Sequence, residues 1–439
     1  MNIVSEPSAL KSGTVTVPGD KSISHRALML GAIAEGQTRV TGFLDGEDCL
    51  ASLAALQAMG VQIDRPAATD LIIWGAGANG LRAPADPLDM GNSGTAMRLF
   101  SGLLAGQSFS SQLIGDASLS NRPMERVVKP LTVMGAQIDS IDGKPPLAIN
   151  GQTLSGLIYW MPVASAQVKS AILLAGLYAD GEIVIHEPAI TRDHTERMLG
   201  SMGVEISVGE TQIIMRGGQQ PKGTNVQVPA DLSSAAFVIL AVILSSDAEV
   251  TITDVGVNPT RTGVIEILKS MGADITIKNV RLFGEEPVAD LIVRSSNLRG
   301  IDVDPGKVSL AIDEFPVLFI AAASAEGKTR FSGIGELRVK ESDRIAAMAE
   351  GLRALSISVD QTEDGATVHG GKIFGGKVRS HGDHRIAMSF AIAGSVAEWP
   401  VHVEDTDAVA TSFPGFTECM QSLGINIQNN PGAGPGPEQ

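Results

Sequence analysis

The chain has 439 residues, 44% of them hydrophobic, 19% charged and only 4% aromatic, which supplies two or three cores of a small-residue α/β type and excludes a disordered or fibrous protein. Its 33 Lys and Arg against 49 Asp and Glu leave a net charge of −16, which argues against a general nucleic-acid binder or a protein held on anionic lipid. Cys49 and Cys419 have no near neighbour of their kind, so a disulfide scaffold and a cysteine zinc site are excluded and a reducing, cytoplasmic location is expected.

No apolar run reaches the ~18–20 residues of a membrane helix. The longest, AAFVILAVIL from Ala235 to Leu244, has the length of a buried core helix. The run from Ala27 to Ala34 has the size of a signal-peptide core, but acidic Glu6 and Asp20 precede it and its pattern recurs five times downstream, so it is read as part of the fold.

Taken in chain order, the predicted elements repeat. A small-residue apolar helix, a polar step and a strand begin at Ser24, Gly94, Gln167, Ser233, Pro316 and His384. Each is followed by a second helix that ends in a common pattern: LQAMGVQID at Leu56, LTVMGAQID at Leu131, LGSMGVEIS at Leu199, LKSMGADIT at Leu268, LRALSISVD at Leu352 and MQSLGINIQ at Met420. The intervals are 75, 68, 69, 84 and 68 residues, longer than ordinary solenoid repeats. A Gly caps the helix in five of the six copies, and the strand behind it alternates its side chains. The first helices are apolar around most of their circumference and are expected to be buried.

Six β-α-β-α units therefore predict two domains of three, with helices inside and sheets outside. Expected boundaries are residues 1–18 plus 230–439 for domain I and 19–229 for domain II. The Gly/Pro-rich segment 429–439 is expected to be a disordered tail.

Polar residues gather just ahead of the apolar helices, in GDKSISHR (Gly19), GNSGTAMR (Gly91), ASAQVKS (Ala164), ADLSS (Ala230), AIDEF (Ala311) and GDHR (Gly382). Helix N-termini carry unpaired N–H groups and partial positive charge, so several converging ends form an anion site. Loops after the strands, GDASLSNRPMER (Gly115), TRDHTER (Thr191) and ELRVKESDR (Glu336), add Arg122, Arg192, Arg338, Lys340 and Arg344. Cations gathered on so acidic a chain point to a small acidic substrate, expected between the domains. GNSGT lacks the Gly-Lys-Ser/Thr ending of an ATP-binding P-loop. The seven His show no metal spacing, and His194 is read as a solvated loop histidine.

The segments PGDKSISHRA, GNSGTAMRL, GDASLSNRPM, ASAQVKSAILLAG, TRDHTERM, LRVKESDR and GDHRIAM resemble, in order and along nearly the whole chain, the signature segments of the 5-enolpyruvylshikimate-3-phosphate synthase family, most similar to its class II group. The resemblance implies the enolpyruvyl transferase fold, a two-domain inside-out α/β barrel. It also implies transfer of the enolpyruvyl group of phosphoenolpyruvate to the 5-hydroxyl of shikimate 3-phosphate, a shikimate-pathway step toward chorismate and aromatic amino acids. Neither metal nor organic cofactor is implied; a cytoplasmic monomer inhibited by glyphosate is.

By motif position the resemblance assigns Lys21, Ser22, Arg26, Ser165, Ala166, Gln167, Arg192, Asp313 and Lys340 to shikimate 3-phosphate. It assigns Lys21, Asn92, Gly94, Arg122, Gln167, Arg344, His384 and Arg385 to phosphoenolpyruvate. Asp313 would accept the 5-hydroxyl proton, and Glu341 with Lys21 would handle protons at the enolpyruvyl group. Two residues depart from the pattern. Ala166 stands where many relatives carry Ser, and Thr411 where many carry Lys; Thr411 is given no catalytic role. The alternatives are a UDP-N-acetylglucosamine enolpyruvyl transferase, whose mobile loop generally carries a Cys that Gly115 to Pro123 lacks, and a non-catalytic binding protein on the same scaffold.

Overall fold

The computed structural model describes residues 1–430. They divide into two compact units: unit 2 contains Gly19–Pro229 with Leu282–Pro287, and unit 1 contains Met1–Pro18, Ala230–Arg281 and the chain from Val288 on. The segment Leu282–Pro287, placed with its neighbours in domain I above, thus groups with unit 2. Each unit has its own hydrophobic core, with no residue shared.

Six apolar helices form the two cores. In unit 2 they are α1 (Lys21–Ile33), α2 (Gly94–Ala105) and α3 (Ala166–Gly176). In unit 1 they are α4 (Leu232–Leu244), α5 (Phe315–Ser324) and α6 (His384–Val396). Every residue of α4 from Leu232 to Ile243 is buried, as a helix with no polar stripe requires. Sheets and the second helix of each repeat wrap these cores.

There are six sheets, and their pairing repeats. In five of the six, the strand after the buried helix lies parallel to an edge strand on one side and antiparallel to another strand on the other. In the first sheet Glu35–Thr41 pairs parallel with Asn225–Gln227 and antiparallel with Asp70–Ala76. Because Asn225–Gln227 comes from the end of unit 2, that unit closes on itself as a ring of three. Unit 1 closes through the N-terminus: Gly13–Val15 is the parallel edge beside Glu249–Gly256, and Asn2–Glu6 lies between Val401–Glu404 and Asn426–Asn430. Asn429 and Asn430 therefore belong to a strand and not to a tail, because the N-terminal strand offers their backbone a partner; residues 431–439 lie outside the described residues. One sheet has three strands, its fourth place being taken by isolated bridges at Arg299 and Asp302.

The glycines of the repeat pattern sit in the left-handed region, with φ of 87° at Gly60, 105° at Gly135, 83° at Gly203, 105° at Gly272 and 90° at Gly424. The sixth copy reaches the same conformation without glycine, Ser356 having φ of 68°. The turn geometry is the same and only the residue differs.

Candidate active site

In unit 2 the N-termini of α1, α2 and α3 are capped by Asp20, Ser93 and Ser165, whose side chains accept from Ile23, Ala96 and Val168 N–H. Each cap satisfies one of the orphan donors, and the others remain for a ligand. Lys21 opens α1 and its Nζ lies 3.0 Å from Asp48 Oδ2. Ser22 follows, and its carbonyl accepts from Arg26 Nη1 at 2.8 Å.

Arg26 is 3% exposed. Its Nε donates to Thr195 Oγ1 and its Nη2 to Ser170 Oγ, both at 2.7 Å. Three of its five N–H donors are used, leaving two on the fork for an anion. Burial draws its pKa down to about 10, so it stays charged near neutral pH. His25, fully buried beside it, is pushed down to about 3 by burial and by Lys21 and Arg26. It is therefore neutral, and its Nδ1 meets Ser52 Oγ at 2.8 Å.

Just ahead of α2, Asn92 Oδ1 accepts from Arg122 Nη2 at 2.6 Å and Asn92 Nδ2 donates to Asp116 at 2.7 Å. Gln167 on α3 accepts from Arg98 Nη1 at 2.6 Å and donates to Thr95 Oγ1 at 2.8 Å. A methyl group built on Gly94 would lie 3.0 Å from Arg98 Nη1 and 3.1 Å from Arg122 Nη1. Gly94 thus keeps open the space where two guanidiniums end. Ala166 is the first residue of α3 and adds no polar atom there. Arg192 lies half-buried in the loop ahead of the helix His194–Ser201.

His194 is not the solvated loop histidine of the sequence reading. It begins that helix, is 2% exposed, and its Nδ1 lies 2.7 Å from Glu286 Oε1. Its carboxylate partner comes from the segment Leu282–Pro287, which spacing within TRDHTER does not reveal.

Unit 1 gathers the other assigned residues around Arg344, which is 1% exposed. Its Nε meets Asp383 Oδ2 at 2.8 Å, its Nη2 meets Glu341 Oε2 at 2.6 Å, and its Nη1 lies 3.6 Å from Asp313 Oδ1. Burial alone would lower its pKa, but Asp383, Glu341 and Asp313 outweigh burial and raise it. Lys340 Nζ lies 3.2 Å from Asp313 Oδ1, and Arg385 Nη1 donates to the Asp313 carbonyl at 3.0 Å. Asp383 also caps α6 through Arg385 N–H, and buried His384 is the first residue of that helix. Thr411 ends a short 3-10 turn and donates to the Ala408 carbonyl at 2.6 Å.

Sequence reasoning missed Asp48, Arg98, Glu314 and Arg261. Arg98 and Glu314 lie inside quoted motifs, GNSGTAMR and AIDEF, so their position was a signal. Arg261 bonds Ser233 Oγ at 2.7 Å and approaches Glu314 to 3.6 Å; no local pattern marks it. Among the described residues no helix is long and apolar enough to cross a membrane, and no group of three or more His, Cys, Asp or Glu is arranged to hold a metal ion.

The profile of the EPSP synthase (3-phosphoshikimate 1-carboxyvinyltransferase) family matches residues 4–420. The chain is 53% identical over 429 residues to the 3-phosphoshikimate 1-carboxyvinyltransferase of Legionella pneumophila (strain Lens), covering 98% of this chain and 99% of that one. It is 55% identical over 424 residues to the enzyme of the same name from Methylococcus capsulatus, covering 96% and 97%. The solved EPSP synthase of Acinetobacter baumannii is 53% identical with a TM-score of 0.86, over 98% of this chain and 99% of that one. The chain belongs to the EPSP synthase family.

Proposed function

We propose that this chain, as a member of that family, transfers the enolpyruvyl group of phosphoenolpyruvate to the 5-hydroxyl of shikimate 3-phosphate and releases phosphate. The reaction is addition followed by elimination. A proton is delivered to C3 of phosphoenolpyruvate while the 5-hydroxyl oxygen bonds to C2 and loses its proton. The tetrahedral ketal then expels phosphate, and C3 returns a proton as the double bond re-forms. The leaving phosphate calls for fixed cations, and the positive charge that develops at C2 as C3 is protonated calls for carboxylates.

Shikimate 3-phosphate is assigned to Lys21, Ser22, Arg26, Ser165, Ala166, Gln167 and Arg192 of unit 2, with Asp313 and Lys340 of unit 1. Phosphoenolpyruvate is assigned Lys21, Asn92, Gly94, Arg122 and Gln167, and from unit 1 Arg344, His384 and Arg385. Asp313 takes the 5-hydroxyl proton, its carboxylate kept ready beside Lys340 and Arg344. Glu341, 2.6 Å from Arg344, and Lys21 exchange protons at C3.

The observation that carries this reading is Arg26. It is a buried, charged guanidinium held by three neutral oxygens, a centre that a bound phosphate completes. Glyphosate competition with phosphoenolpyruvate, a cytoplasmic location and a monomeric state belong to the same proposal. The test is phosphate release from phosphoenolpyruvate with shikimate 3-phosphate against UDP-N-acetylglucosamine. Release with the first alone is expected; release with the second alone overturns the reading.

A further inference from the structure

We propose that Lys169 is a positioning residue for the phosphate-binding arginines of unit 2, acting through Glu187, Glu196 and the hydroxyl of Thr195. The proposal rests on the reading of unit 2 as the part that holds the phosphate of shikimate 3-phosphate.

Lys169 lies one turn into α3 and its side chain is 1% exposed. An ammonium buried this deeply costs several kcal/mol unless it is paired. Its Nζ is 2.8 Å from Glu187 Oε2 and 2.7 Å from Glu196 Oε1, and it also donates to the Thr191 carbonyl at 3.4 Å. Glu187 in turn accepts from the Thr191 hydroxyl. One ammonium thus fastens α3, the loop that carries Arg192, and the helix His194–Ser201.

Glu196 also acts on Arg26 through its charge. Burial pulls the Arg26 pKa down, and Glu196 is the strongest of the charges that oppose that fall. Burial raises the Glu196 carboxyl pKa, and Lys169 is the main force opposing that rise.

The ion pair also sets the hydrogen bonds to Arg26. Ser170 follows Lys169 in α3, and Thr195 precedes Glu196. Their hydroxyls lie 2.7 Å from each other, and each accepts from Arg26 at 2.7 Å. Joining Lys169 to Glu196 therefore brings together the two hydroxyls that aim the guanidinium. A planar fork binds phosphate well only in one orientation, so a small rotation of Arg26 weakens the ligand. Lys169 itself is sealed from solvent, so its effect on substrate passes through Arg26 and Arg192.

The experiment compares wild type with Lys169→Met, Thr195→Val and Thr195→Ser. It uses steady-state kinetics, calorimetric titration with shikimate 3-phosphate, and melting temperature. Thr195→Val keeps the shape and removes one hydroxyl acceptor from a charged donor. It should raise the KM and Kd for shikimate 3-phosphate about tenfold while the KM for phosphoenolpyruvate and the melting temperature stay near wild type. Thr195→Ser should behave as wild type. Lys169→Met should show the same selectivity and a larger loss, and if it does not fold the Thr195 pair decides. An unchanged Kd in Thr195→Val, or equal losses for both substrates, overturns the proposal while wild-type binding upholds the functional reading. Wild type that binds no shikimate 3-phosphate overturns both.

Discussion

The two units are built from the same repeat, yet their most buried site arginines, Arg26 and Arg344, are held in opposite ways. In unit 2 Arg26 is held by a carbonyl and two hydroxyls. In unit 1 Arg344 meets Asp383, Glu341 and Asp313, and Lys340 meets Asp313. Neutral partners orient a guanidinium and leave its charge for a ligand. Carboxylate partners cancel the charge, and the cation then fixes the carboxylates instead. Unit 2 is thereby suited to hold anions, and unit 1 to present carboxylates as proton acceptors.

Paired substitutions test that division most sharply. Glu341→Gln keeps shape and removes the acceptor, so turnover should fall by roughly 10²-fold or more with both KM values little changed. Arg26→Gln should do the reverse, raising the KM for shikimate 3-phosphate by about 30-fold and leaving turnover within a few-fold. Steady-state kinetics on the two variants would break the comparison if either effect appeared in the other parameter.

A smaller effect concerns pH. The His25 pKa is lowered on folding from 6.5 to about 3, so below pH 6.5 the unfolded chain binds a proton that the folded one refuses. This contribution is level above pH 6.5 and costs stability as pH falls toward 3. Between pH 6.5 and 4.5 it amounts to about 2 kcal/mol. His25→Asn should flatten that part of the acid dependence, measured by urea unfolding at several pH values. A variant whose curve keeps the wild-type slope would show that another group is responsible.

Next is Gly94→Ala. The added methyl would press on Arg98 and Arg122 at 3.0 and 3.1 Å, and both are flexible ends that can shift. Glyphosate is longer than phosphoenolpyruvate, so the ratio of its Ki to the phosphoenolpyruvate KM should rise about tenfold. A constant ratio would place Gly94 away from the inhibitor. The smallest effect lies in the helix caps. Unit 2 uses glycine at all three, whereas unit 1 uses Ser356 at φ 68°. Ser356→Gly should stabilise by about 0.5–1 kcal/mol, read as a higher denaturant midpoint.

What was legible in the sequence follows from where the information lies. The six units were readable because each leaves a local mark, a helix with no polar face and, in five of the six, a glycine that must turn left-handed. The polar helix starts were readable for the same reason, since Asp20, Ser93, Asp231 and Asp383 act on residues two or three ahead. Pairings across the fold were not. His194 finds Glu286 92 residues on, Arg98 finds Gln167 69 residues on, and Lys169 finds Glu187 18 residues on. A buried charge whose partner is distant in sequence has no periodicity to betray it.

The N-terminal strand has a consequence for synthesis. Asn2–Glu6 pairs with Val401–Glu404 and Asn426–Asn430, so this strand is made long before its partners. At a ribosomal rate of roughly 5–20 residues per second it waits for tens of seconds, with both of its edges unpaired. Unit 2, nearly all of it one continuous stretch, emerges complete during that interval. The nascent chain thus carries most of unit 2 together with a strand whose edges await their partners. Rejoining the ends and reopening the chain elsewhere would remove that wait without altering a single side chain of the site.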